Sequence, residues 1–104
     1  MGLIIKSTEN KSILMKDFNG QVTEIESVYA RVEIALRPDG KTVECAFPYI
    51  FASKEAFKLG ASVMPTDVST SVNGEVLEQS MYSCHELCKL ELEKLGYEVD
   101  IDLI

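Results

Sequence analysis

The chain has no tryptophan and a single histidine among its 104 residues. The first absence excludes a Trp-lined pocket or aromatic cage. The second leaves metal chemistry short of ligands. A structural zinc takes four ligands, and His85 with Cys45, Cys84 and Cys88 is the whole supply of imidazole and thiol. Three cysteines are an odd number and form no disulfide framework, which fits a reducing compartment such as the cytoplasm. The glycines stand singly, so no phosphate-binding loop is built. No apolar run reaches the ~18 residues that cross a bilayer. The start, MGLIIKSTEN, has no basic leader and too short an apolar stretch for a signal peptide. Positive charge is scarce as well: 10 Lys+Arg stand against 17 Asp+Glu, a net charge of −7. Phosphate contacts need a basic surface, so direct nucleic-acid binding is not expected. The acidity reads first as solubility, and second as a means of docking to a basic partner.

What is present is a long β-hairpin. A chain of this length forms one domain, residues 1–104. Within it, Val28, Ala30, Val32, Ile34 and Leu36 alternate with Tyr29, Arg31, Glu33, Ala35 and Arg37. A period of two places each set on its own face of a strand. Pro38-Asp39-Gly40 then breaks the run with the residues of a type I turn followed by a left-handed glycine. Val43, Cys45 and Phe47 share one face of the return strand. Arms of about ten residues exceed the usual strand, so the hairpin must join a larger sheet.

The remaining elements are shorter. Leu3–Ser7, Ser12–Phe18 and Gln21–Glu26 read as strands separated by turns at Thr8–Lys11 and Asn19-Gly20. Ser53 caps a short helix over Lys54–Leu59, stopped by Gly60 and pinned by Ala56, Phe57 and Leu59. Asp67–Asn73 is extended, ending in a turn at Asn73-Gly74. A longer helix spans Gln79–Leu95, with Ser80 as its cap. Met81, Cys84, Cys88, Leu92 and Leu95 form its apolar stripe, widened by Leu87 and Leu90. Gly96 ends it. Tyr97–Leu103 alternates apolar residues with Glu98, Asp100 and Asp102, as a half-buried strand with an acidic outer face does. The expected fold is α+β: an antiparallel sheet with a long central hairpin, one short helix and one C-terminal amphipathic helix. A small barrel or sandwich is the variant.

No constellation outweighs its structural reading. Cys84 and Cys88, at i and i+4, fit the core stripe, where free thiols behave as small hydrophobes. His85 lies about 100° round the helix from Cys84, poorly placed as a base for a cysteine nucleophile. The carboxylates of Glu98, Asp100 and Asp102 read as a solvated edge. Tyr49, Phe51 and Phe57 read first as core and second as an interface patch. Both terminal strands are apolar, and strands of that kind are usually paired or covered. Together with the long hairpin, they point to a subunit of an assembly.

The run VYARVEIALRPDGKTVECAFPYIFASKEAF, followed by a helix and the ending LEKLGYEVDIDLI, resembles small virion proteins of tailed bacteriophages. These form rings at the head–tail connector or tail, those of the crAss-like group among them. The resemblance covers about half the chain and rests on pattern, without a diagnostic motif. It implies a non-enzymatic structural subunit in a homo-oligomeric ring, in contact with other virion proteins and located in the virion. It carries no catalytic residue, cofactor, metal, small-molecule substrate or membrane association. Ring contacts are heterologous, one patch meeting a different patch on the neighbour. The interface candidates are Arg37, Asp39 and Lys41 at the hairpin tip, with Tyr49, Phe51 and Ile104. The alternative is a small cytoplasmic binding or adaptor module, monomeric or dimeric. An enzyme using Cys84 or Cys88 is the third class.

Overall fold

The computed structural model describes residues 1–16, 19–61, 66–68, 71–75 and 81–103. The elements run β1 (Gly2–Lys6), β2 (Ile13–Lys16), β3 (Val22–Ile25), β4 (Ser27–Leu36), β5 (Thr42–Phe51), α1 (Lys54–Lys58), β6 (Ser71–Glu75), α2 (Met81–Lys94) and β7 (Glu98–Asp102). Five strands form one antiparallel sheet in the order β6-β5-β4-β1-β7, and β2 and β3 form a separate ribbon. The expected α+β class holds, with an open sheet in place of a barrel or sandwich. Among the described residues no helix is long and apolar enough to cross a membrane.

The hairpin forms where the alternation places it. Arg37 N–H donates to Thr42 O at 2.8 Å, and Gly40 N–H closes the turn on Arg37 O at 3.0 Å. Gly40 sits at φ +70, and a Cβ there would meet nothing within 4 Å. Only backbone strain therefore opposes a side chain. Gly40→Val is expected to cost about 1 kcal/mol or more. A denaturant midpoint unchanged from the parent would contradict the left-handed turn. Between Arg31 and Glu33 the register shifts, so that Val32 faces the two residues Phe47-Pro48. Proline brings no N–H to a ladder, and a bulge is one of the few strand positions that accept it.

The sheet is covered on both faces. One face carries Leu3, Ile5, Val28, Ala30, Cys45 and Val99 against Cys84, Cys88 and Leu92 of α2, all buried in one continuous cluster. On the other, α1 lays Phe57 over Tyr29 and Phe51, with ring centroids 5.7 and 5.0 Å apart. Gly2 makes room for this second cluster: a Cβ there would stand 2.5 Å from the Tyr29 ring. Ser53 Oγ accepts from Ala56 N–H at 3.0 Å, the expected cap. Gly96, at φ +109, ends α2 with its own N–H on Glu93 O and the Tyr97 N–H on Leu92 O.

Several expectations are corrected. Leu59 is 87% exposed, so Phe57 pins α1 without it. Leu90 and Leu95 are exposed, whereas His85 is buried. Leu90 stands about 160° round from Cys88, on the back of the helix, and Leu95 lies beyond the last helical residue. Asn73-Gly74 is no turn: both residues lie inside β6, paired with Glu44 and Val43. The open edge of β5 overrides the local turn propensity there. The terminal strands β1 and β7 pair with each other from Gly2↔Asp102 to Lys6↔Glu98, which leaves β1 between two strands and β7 at the sheet edge. Asp102 is not a solvated edge carboxylate but pairs with Lys54 at 2.6 Å under α1, with side chains 12% and 21% exposed. Ser80, the expected cap of α2, lies outside the described residues.

Candidate functional site

The feature that stands apart from the packed body is the distal arm of the hairpin. β1 pairs with β4 only over Ser27–Ala30, and β6 covers β5 over Thr42–Ala46. Among the described residues β4 has a strand partner on one side only beyond Val32, and Glu33 through Lys41 are all exposed. Strand alternation continues along this arm, where the partners of Ile34 and Leu36 on β5, Cys45 and Val43, still belong to the core. Ile34 and Leu36 remain on the apolar face, partly covered at 37% exposure and largely open at 65% among the described residues. On the opposite face, Glu33, Ala35, Glu44, Ala46 and Tyr49 line a shallow open depression. Tyr49 stands beside Arg31 across the strands and is half exposed.

The tip is built by its own polar side chains. Asp39 accepts from Lys41 N–H at 2.8 Å, Thr42 N–H at 2.9 Å and the Thr42 hydroxyl at 2.8 Å. The Lys41 amide, then the Thr42 hydroxyl and amide, hold its carboxyl below the usual aspartate range. Arg37 bonds Glu44 at 2.6 Å across the hairpin, an exposed pair worth a few tenths of a kcal/mol, or about 1 at most.

The interface candidates therefore separate. Arg37, Lys41 and Tyr49 are displayed. Asp39 is exposed, but its oxygens are spent on shaping the turn. Phe51 is buried beneath α1 and is a packing residue, because both faces of the sheet are covered at that point. Ile104 lies outside the described residues. The open edge of β4 and the exposure of Ile34 and Leu36 were missed by sequence reasoning. The signal available was the length of the hairpin, longer than its terminal partner strands.

The thiols belong to the core, as their spacing suggested. Cys45, Cys84 and Cys88 are all buried. Cys88 Sγ lies 3.7 Å from Cys45 O, as a weak donor. Burial, reinforced by a hydrogen bond with the Cys84 thiol, pushes the Cys45 thiol up to about 12. Burial and the neighbouring Cys84 push Cys88 up to about 11. Such thiols stay protonated at neutral pH and are poor nucleophiles. Among the described residues no group of three or more His, Cys, Asp or Glu is arranged to hold a metal. Compared with protein-family models, curated proteins and solved structures, the chain matches none.

Proposed function

We propose that the chain is a non-enzymatic structural subunit that assembles with copies of itself, and that the assembly is a head–tail connector or tail ring of a tailed-phage virion. The observation supporting self-assembly is the hairpin arm. It projects an unpaired strand edge and exposed Ile34 and Leu36 beyond a body whose other strands are short or paired. Long open edges are aggregation hazards that soluble proteins usually blunt or cover, so an edge retained on a projecting arm serves pairing. The phage ring itself rests on the resemblance of Val28–Phe57 and Leu92–Ile104 to ring proteins of that kind. Native mass spectrometry over a range of concentrations tests the reading. A discrete oligomer of about six or more copies is the expected result for a closed ring. A monomer at every concentration would overturn self-assembly, and a dimer that grows no further would overturn the ring.

A further inference from the structure

We propose that Glu33–Arg37 of β4 pairs with the same segment of a second copy, antiparallel and centred on Ala35, so that two sheets join edge to edge. This rests on the self-assembly part of the reading above and not on the phage ring. Three observations meet at this register.

The first is the length of the free edge. β1 holds β4 as far as Leu3↔Ala30, and continuing that register sets Met1 beside Val32. Met1 O accepts from Arg31 Nη1 at 2.9 Å, which holds Met1 at that point. Among the described residues the open stretch runs from Glu33 to the turn after Arg37, and its midpoint is Ala35.

The second is the direction of the backbone groups. Arg37 N–H points to β5, where it meets Thr42 O. N–H groups alternate sides along a strand, so those of Ile34 and Leu36 point out of the sheet edge. Centring on Ala35 sets Ile34 opposite Leu36 of the second copy, and Leu36 opposite its Ile34. Each is a pair whose N–H and C=O groups face one another.

The third is the match of side chains. On one face the exposed Ile34 and Leu36 cover each other twice. On the other, Glu33 comes opposite Arg37 of the second copy, and Arg37 opposite its Glu33. These are non-hydrogen-bonded pairs, where side chains approach most closely. Arg37 keeps its bond to Glu44, since a guanidinium has five N–H donors. Centring one residue earlier, on Ile34, would instead set Arg31 against Arg37 and would need edge positions that Met1 and Gly2 already hold. The contact is isologous, a two-fold axis passing through the sheet at Ala35.

The test is Ala35→Cys. The register brings the two Cα atoms to about 4.5 Å, inside the span of a disulfide, and the native thiols are buried. Mild oxidation is expected to convert most of the purified variant to a covalent dimer. Adding Glu33→Arg should abolish the product, and adding Arg37→Glu to that pair should restore it. Ile34→Pro, which removes an outward N–H and no hydrogen bond to β5, together with the apolar side chain, should lose the dimer while the circular dichroism spectrum is retained. A folded Ala35→Cys protein that stays monomeric would overturn the pairing, as would crosslinking indifferent to charge reversal. Covalent capture of a different protein in place of its own dimer would assign the edge to that partner and overturn it equally. Oligomers in native mass spectra without the Ala35→Cys crosslink would leave self-assembly standing and remove this interface. A crosslinked dimer that never grows would do the reverse to the ring.

Discussion

Tyr29→Ala is expected to lower the unfolding free energy by about 3–5 kcal/mol, the usual cost of truncating a buried aromatic ring. A domain of this size has about 5–15 kcal/mol in all, so the variant should lose a large share of its stability. Tyr29 is 2% exposed and is the largest fully buried side chain among the described residues. Its ring fills the space left by Gly2 and touches Phe57, which in turn packs on Phe51. The Arg31 guanidinium lies 4.7 Å over the Phe57 ring. Removing the Tyr29 ring leaves α1 standing over a cavity, and a helix of five residues has no stability of its own. Tyr29→Phe keeps the ring and gives up only a long 3.4 Å contact from Arg31. That change should cost under about 1 kcal/mol. Urea unfolding of both variants checks the contrast. Equal small losses would mean that the face under α1 is not a second core.

The native protein at pH 8 should leave all three thiols unreactive to Ellman's reagent, and unfolding in denaturant should release all three. With a stability of about 5 kcal/mol, labelling through global opening is slowed by a factor on the order of 10³ or more. Titration supplies a second reading of the same cluster. In the unfolded chain a thiol titrates near 8.5, whereas the fold holds Cys45 at about 12 and Cys88 at about 11 through burial first and the Cys84 neighbour second. Below the unfolded value both states hold their protons, and the contribution of the thiols is fully present. Above it the unfolded chain releases protons that the native state retains, so unfolding becomes easier as pH rises towards 11–12. Tyr97, pushed up by burial and by Asp67, adds loss of the same sign at the top of that range. Urea midpoints should therefore fall between pH 8 and pH 10. A flat profile, or prompt labelling at pH 8, would place the thiols outside the core.

The sequence made the local elements legible wherever one residue type has one physical use. Pro38-Asp39-Gly40 marked the turn, Ser53 the cap, Gly96 the end of α2, and strict alternation the two arms of the hairpin. Cys84 and Cys88 were readable as core from their spacing alone. Positions whose fate depends on a neighbour distant in sequence were less legible. Tyr29 alternates onto the strand face that carries Arg31, Glu33 and Arg37, yet α1 buries it. Asn73-Gly74 has turn chemistry, yet an open strand edge draws it into the sheet. His85 has no place in the apolar stripe, yet α2 turns it inward. Of the interface candidates, Arg37, Lys41 and Tyr49 are displayed and Phe51 is inside, a distinction no periodicity could make.

The sequence by itself determined the class of the fold, the place of the long hairpin and the helices, and the burial of the thiols. These follow from φ preferences, side-chain period and polarity, which act over a few residues. Only the tertiary structure decided the strand order, the pairing of the two terminal strands, the covering of both sheet faces, and the stretch of β4 left without a neighbour. These depend on which distant segments reach each other first with matching shape and unspent hydrogen bonds. The open edge at Glu33–Arg37 is such a consequence. Its residues are ordinary strand residues, left at an edge because the pairing of β1 with β4 stops at Leu3↔Ala30.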